Sequence, residues 1–331
     1  MTVKLVKFQD IEVPAPGFGC MGFSMGYGPA DDKVSHQTMA KAVELGCTFW
    51  DSAVVYGKGH NEQLIGDFFR ATNTRDKVFI ASKCGWDCMD VGTGGPLGGV
   101  TNKAEHIATY IEGTKERLGS YPDLYYLHRI DPNTPLEESI PALQALKTAG
   151  KTKYIGLSEC SAATLRKACA IAHIDALQIE YSPWYTDHEE NGLIDAAREL
   201  GVTIIAYSPL GKGILTGQYR SPEDFPEGDV RATIPRFSKE NMPRNLRIVD
   251  EFQKLAAKKG CTSSQLALAW VIAQGAIPIP GTKSSSRLAE NFGANGVSLD
   301  DAELKELRVL INDAKPVGDR YNAVHMAIVG Q

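Results

Sequence analysis

Residue types able to move a proton stand at the ends of short apolar runs in this chain. In FWDSAVVYG, residues 49–57, the run stops at a carboxylate, Asp51, and a phenol, Tyr56, follows five residues later. A second run ends on Lys83 in ASKCG, and a third, LYYL, ends on His128. An ammonium beside a carboxylate stays charged. A cation beside a phenol favours the phenolate, so Lys83 is expected to pull Tyr56 below its usual value near ~10. A tyrosine so placed can give a proton to a carbonyl oxygen or take one from an alcohol. A histidine can hydrogen-bond the same oxygen and fix its position. Taken singly, each residue has an ordinary structural role: Asp51 caps a loop, Tyr56 and His128 pack, and Lys83 is a solvated charge.

The elements that must position them change that balance. Short β-branched runs at 18–21, 47–51, 78–82, 124–128, 154–158, 176–180, 202–207 and 276–280 read as strands. Helix-like segments separate them at 35–45, 61–70 (with Asn61 as N-cap), 102–118, 136–148, 161–172 and 190–200. Two more, at 246–259 and 263–273, precede the last strand. Strands apolar on both faces, each followed by a helix, imply a parallel sheet covered by helices. Eight such units without a composition break predict a single-domain α/β fold, a (β/α)8 TIM barrel over residues 1–331. Function then belongs at the carboxyl ends of the strands, which read Cys20-Met21, Asp51, Lys83, His128, Ser158-Glu159, Gln178, Tyr207-Ser208 and Gly281-Thr282. Chance would put one or two polar groups there, not a full ring. A polar stretch at 218–245 has the length of a functional loop and is expected to cover a ligand. The tail at 313–331 reads as irregular, either closing over the barrel mouth or loose.

Composition narrows the class. A net charge of -5 and no basic run argue against a nucleic-acid partner. No stretch has the length of a membrane span or the pattern of a secretory signal. Seven cysteines without CxxC spacing suit buried thiols in a reducing compartment, so a cytoplasmic location is expected. One histidine with Asp51 and Glu159 among the strand ends is too few for the usual ligand set of a metal-dependent hydrolase, and no metal is expected. GFGCMG, residues 17–22, has the GxGxxG spacing of a dinucleotide loop, but SMGYGP follows where a helix should open. Its glycines fit better a tight strand and a close backbone approach. GTGGPLGG, residues 92–99, lacks a Walker lysine and reads as a flexible loop.

FWDSAVVYG, ASKCG, LHRIDP, GLSE, QIEYS, AYSPLGKG and IPIPGTKSSSRLAEN occur in the order found in the aldo-keto reductases, which this chain resembles from about residue 17 to 295. The branch with fungal and plant pyridoxal- and aldehyde-reducing members looks closest. The resemblance implies a (β/α)8 barrel that uses NADP(H) to reduce a small-molecule aldehyde or ketone. It makes Asp51, Tyr56, Lys83 and His128 the catalytic tetrad, with Tyr56 the proton donor. It assigns Ser158 and Gln178 to the nicotinamide carboxamide and Tyr207 to the stacked ring. Cys20 and Met21 fall beside the cofactor. Ser208, Pro209, Leu210, Gly211 and Gly213 match the pyrophosphate loop, with Arg231 from the covering loop. Gly281, Thr282, Lys283, Arg287, Glu290 and Asn291 match the adenosine site. Lys283 and Arg287 offer the positive charge that a 2′-phosphate needs. Trp86, Trp184 and Tyr185 follow strand ends and either form an aromatic substrate pocket or pack the rim. Many relatives carry asparagine where this chain has Glu159, which cannot donate as an amide does, so no role is assigned there. The potassium-channel β subunits share the barrel and cofactor site, and a regulatory partner with residual reductase activity is the alternative.

Overall fold

The computed structural model describes residues 3–89, 98–326 and 329–331, so the glycine-rich loop expected at 92–99 lies largely outside the described residues. An antiparallel hairpin, β1 (Leu5–Phe8) and β2 (Ile11–Pro14), comes first and was not foreseen. Eight parallel strands follow in sequence order: β3 (Phe18–Gly19), β4 (Phe49–Asp51), β5 (Phe79–Cys84), β6 (Leu124–Leu127), β7 (Tyr154–Ser158), β8 (Ala176–Glu180), β9 (Thr203–Tyr207) and β10 (Ile277–Pro278). The ring closes between its first and last strands. Gly17 N donates to Pro278 O at 2.9 Å, Gly19 N donates to Pro280 O at 3.2 Å, and Gly19 bridges Gly281 in parallel. The architecture is a (β/α)8 TIM barrel.

The seam explains the first two glycines of GFGCMG. A Cβ on Gly17 would fall 2.7 Å from Phe49 O, and one on Gly19 would fall 2.8 Å from Ile279 O. Both distances are forbidden, so only glycine lets β3 close against its neighbours. Cys20 then enters a single turn, Met21–Phe23, rather than a dinucleotide-binding helix.

The interior is filled by side chains that alternate inward, including Phe49, Ala81, Leu124, Tyr126 and Ile205. The hairpin plugs the amino-terminal end. Phe8 is fully buried and meets Phe49, Phe79 and Tyr154 at ring-centroid distances of 5.9, 5.3 and 5.0 Å. With one end stoppered by aromatics, the carboxyl ends are left open for a ligand.

Most helices fall where periodicity put them, and Leu136–Thr148 and Ser263–Ala273 do so to the residue. Two differ. The helix expected from Asn61 spans His60–Thr72 and is preceded by Gly59 at φ 88°, so Asn61 is not its N-cap. Asn61 is instead fully buried, accepting from Ser52 Oγ at 2.7 Å and donating to Cys20 O at 2.8 Å and Ser24 Oγ at 2.9 Å. The segment expected at 190–200 is two helices, Asp187–Glu190 and Leu193–Glu199, separated at Gly192, whose φ of 78° interrupts the helical turn. Among the described residues no helix is long and apolar enough to cross a membrane.

The 218–245 stretch is built of short 3-10 turns and the helix Met242–Asn245. The tail beyond the helix Asp301–Asp313, expected to be irregular throughout, carries one short helix, Ala323–Met326, and its described residues are tethered. Asn245 Nδ2 donates to Val317 O and Arg236 Nε to Gly318 O, both at 2.9 Å. Further on, Gly330 N donates to Glu159 O at 2.9 Å, and Gln331 O accepts from Ser161 N at 2.8 Å.

Candidate active site

Asp51 ends β4, Lys83 sits one residue before the end of β5, and Tyr56 follows in the loop after β4. Parallel pairing of these neighbouring strands brings the three together at the mouth. The Lys83 ammonium uses all three donors: to Asp51 Oδ1 at 2.5 Å, Ser52 O at 2.7 Å and the Tyr56 hydroxyl at 3.3 Å. Its side chain is completely buried and that of Asp51 is 4% exposed. A pair so buried persists only when its remaining polar atoms are satisfied. Gln178, at the middle of β8, does this by donating Nε2 to Asp51 Oδ2 at 2.8 Å.

Burial alone would lower the Lys83 ammonium, but Asp51 and Tyr56 outweigh it and hold Lys83 above the usual lysine range. The expectation for Tyr56 is corrected. Burial dominates and raises its phenol, against the downward pull of Lys83. Tyr56 therefore stays protonated at neutral pH. Because Lys83 donates to the phenol oxygen, the phenol's own proton must point elsewhere. Tyr56 lines the open cleft, so that is where it can point. His128 stands edge-on to the Tyr56 ring, centroids 5.8 Å apart, with Nδ1 buried and unpartnered. Burial, then Arg129 and Lys83, hold its imidazole well below the usual histidine range. It is a neutral hydrogen-bonding group.

These residues occupy one part of a cleft of about 470 Å³ that extends to the helix Ser285–Phe292. Met21, Ser158, Gln178, Tyr207, Ser208, Pro209, Leu210, Gly213, Arg231, Gly281, Thr282, Lys283, Arg287, Glu290 and Asn291 all line it. Lys83 lies behind its wall. Several expected residues do not line it. Cys20 is 1% exposed with its thiol toward Phe18 O, and Gly211 packs beneath the loop against Trp184. Trp184 and Tyr185 are buried in the rim, Trp184 tilted against Phe237 at 5.2 Å and Tyr185 under the Arg320 guanidinium at 4.7 Å. Trp86 bridges Val100 and is also absent from the described lining.

Cation partners differ from expectation at two places. Arg231 forks onto Asp229, Nε to Oδ1 at 2.9 Å and Nη2 to Oδ2 at 2.7 Å, and donates Nη1 to Lys212 O at 3.0 Å. Lys283 Nζ reaches the carbonyls of Tyr27 at 2.7 Å and Pro29 at 2.8 Å, tying that strap to the helix start. The helix is capped by Ser284, which accepts from Arg287 N at 3.4 Å.

Glu159, left without a role from sequence, anchors the tail. At φ 56° and 1% exposed, it accepts from Glu180 N at 3.0 Å, Tyr207 OH at 2.8 Å and Arg320 Nη2 at 2.5 Å. Glu180 pairs with Lys212 at 2.5 Å and with Arg320 at 3.3 Å. Tyr321, next to Arg320, lines the cleft and shares a hydroxyl bond with Tyr207 at 2.9 Å. Sequence reasoning placed Lys212 in the pyrophosphate loop without a role of its own and missed Tyr27, Arg129 and Tyr321. Arg129 and Lys212 stood inside the motifs LHRIDP and AYSPLGKG. Tyr321 carried no local signal.

The Aldo/keto reductase family pattern matches residues 17–312. The chain belongs to that family. It is 56% identical over 332 residues to an aldo-keto reductase of Gibberella moniliformis, covering 99% of this chain and all of that one. It is 44% identical to an aldo-keto reductase of Schizosaccharomyces pombe whose name specifies NADP(+), covering 97% and 95% of the two chains. Among solved structures, a glycerol dehydrogenase from Gluconobacter oxydans superposes with TM-score 0.86 at 26% identity, covering 96% of this chain and 98% of that one. Family membership makes this chain an NAD(P)H-dependent carbonyl reductase in its general class.

Proposed function

We propose that this aldo-keto reductase family member reduces an aldehyde or ketone to the alcohol with NADPH, Tyr56 donating the proton to the carbonyl oxygen. The observation carrying this reading is the buried Asp51–Lys83–Tyr56 chain, which leaves a protonated phenol beside a neutral His128 in an open cleft. The donors of the cleft fit a nicotinamide cofactor. At one end Tyr56 and His128 line the cleft as hydrogen-bonding groups. At the other, the Ser284-capped helix start with Lys283 and Arg287 suits a phosphate, as helix N-termini do. When bound, the cofactor supplies the hydride.

The chain's own residues supply the rest. Ser158 and Gln178 would hold the carboxamide; with Nε2 committed to Asp51, Gln178 presents its carbonyl oxygen as an acceptor. Tyr207 offers a ring face whose hydroxyl is fixed by Glu159 and Tyr321. The 218–245 segment, through Gln218, Tyr219 and Arg231, would cover the phosphates. Arg231 acts there mainly by holding the loop on Asp229. The 313–331 tail closes the mouth through Arg320 and Tyr321. Similarity to the yeast protein named for NADP(+) supports NADPH over NADH, as does the cationic helix start. Pyridoxal and small or aromatic aldehydes are the substrates to try first.

Tyr56→Phe is the test. NADPH oxidation with a simple aldehyde should fall by about 10²–10⁴-fold, the usual worth of a positioned acid. NADPH affinity, read by quenching of protein fluorescence, should change little because the ring remains. Substantial turnover by the variant would remove Tyr56 as the donor.

A further inference from the structure

Near His128, the cations of the mouth are paired with carboxylates except for Arg129, among the described residues. Lys83 pairs with Asp51, Lys212 with Glu180 and Arg320 with Glu159. Arg129, which also lines the cleft, has no carboxylate within salt-bridge distance among the described residues. Nη1 donates to His128 O at 2.6 Å and to Ser158 Oγ at 3.4 Å. Nε is buried with no partner, and Nη2 makes no described hydrogen bond. Nε and Nη2 form the edge of a guanidinium that grips a planar carboxylate with two parallel N–H···O bonds. Arg231 uses that same edge on Asp229 at 2.9 and 2.7 Å. A desolvated donor with no acceptor is costly, and natural structures rarely leave one without a ligand to complete it.

We propose that the Nε–Nη2 edge of Arg129 is a substrate subsite, and that the enzyme takes aldehydes or ketones that also carry a carboxylate. Arg129 is next in sequence to His128, the group placed at the reacting carbonyl. The carboxylate and carbonyl of one small molecule would be held at two points of the same cleft, Arg129 on the first and Tyr56 with His128 on the second. The inference rests on the reductase reading above and supplies its substrate class. Nearby carboxylates do not quench the subsite. Glu159 is engaged by Arg320, Tyr207 and Glu180 N, and Asp51 by Lys83 and Gln178.

Matched aldehydes separate the two claims. NADPH oxidation is followed with 4-carboxybenzaldehyde and with its methyl ester, which keeps the carbonyl and removes the charge. The expected kcat/KM favours the acid by about 10-fold or more, the worth of a charge-assisted pair of hydrogen bonds. In Arg129→Met both rates fall, because the bonds to His128 O and Ser158 Oγ are lost as well, and the acid falls at least about tenfold more than the ester. Arg129→Lys, which keeps the charge without the fork, lies between. Equal kcat/KM for acid and ester in the natural protein, or an equal loss of both in Arg129→Met, overturns the subsite. A preference for a phosphorylated aldehyde over the carboxylate overturns the assignment to a carboxylate. Failure to reduce either benzaldehyde, with NADPH bound normally, counts instead against the reductase reading.

Discussion

Replacing Arg320 by methionine should release the tail from the barrel mouth, and the size of the effect can be worked from Glu159. The Arg320 side chain is 5% exposed and meets Glu159 at 2.5 Å and Glu180 at 3.3 Å. Burial would raise the Glu159 carboxyl, but Arg320, by its charge and its hydrogen bonds, lowers it from 4.5 to about 2. That gap is worth about 3 kcal/mol. Breaking a buried pair by removing one partner costs about 3–5 kcal/mol by a separate route, so the two figures agree. Because the folded-state value is depressed, this stability is fully present above the unfolded carboxyl's value of 4.5 and is lost as pH falls toward about 2. Urea unfolding near neutral pH should show Arg320→Met destabilised by about 3 kcal/mol, with the difference from the natural protein shrinking as pH drops below about 4.5. Hydrogen exchange at Gly330, whose N–H is held by Glu159 O, should speed up with it. The double variant Glu159→Gln/Arg320→Met leaves Glu180 on Lys212 and should recover most of the loss. If the single variant is as stable as the natural protein, the latch is not energetic. If the double variant is no better than the single, the loss comes from arginine packing over Tyr185, not from charge.

Three further outcomes are expected. Lys283→Ala combined with Arg287→Ala should raise KM for NADPH much more than for NADH, and equal effects on both would remove the 2′-phosphate site. Gly17→Ala should destabilise the barrel by about 1–3 kcal/mol or more through overpacking, since its Cβ meets backbone at 2.7 Å; thermal unfolding reads this, and a natural-like midpoint would contradict the closure at that seam. Reduction kcat should hold level across neutral pH and decline only on the alkaline side, because burial raises the Tyr56 phenol; a decline beginning near neutrality would mean that Lys83 outweighs burial.

The barrel was legible because its signal is local and repeated. Apolar runs such as 154–158 and 176–180 match their strands to the residue, since strands buried on both faces admit few polar residues. The residues of the mouth were legible for a related reason: each stands where an apolar run ends, and parallel strands put those ends on one side. Asp51, Tyr56, Lys83 and Gln178 do meet there. The hairpin was missed because LVKF and IEVP are short and only half apolar, and their role depends on Phe8 finding Phe49, Phe79 and Tyr154. Asn61 was misread because its sequence neighbours suit a cap, while its amide is taken by Cys20 and Ser24 from another loop.

By itself the sequence determined the alternation of strand and helix, the open end that carries chemistry and the identity of the groups there, because period, capping and residue type are read within a few neighbours. Only tertiary structure decided how those groups are tuned and what they touch. The rise of the Tyr56 phenol needed its burial, which outweighs a lysine that sequence alone made dominant. The role of Glu159 needed Arg320, 161 residues away along the chain, and the cleft wall needed Tyr321, 114 residues from the Tyr207 it meets. The charge left over at Arg129 could be recognised only once Lys83, Lys212 and Arg320 around it had found their carboxylates. Desolvation and ion pairing act through space on whichever groups the fold brings together, and no local spacing records them.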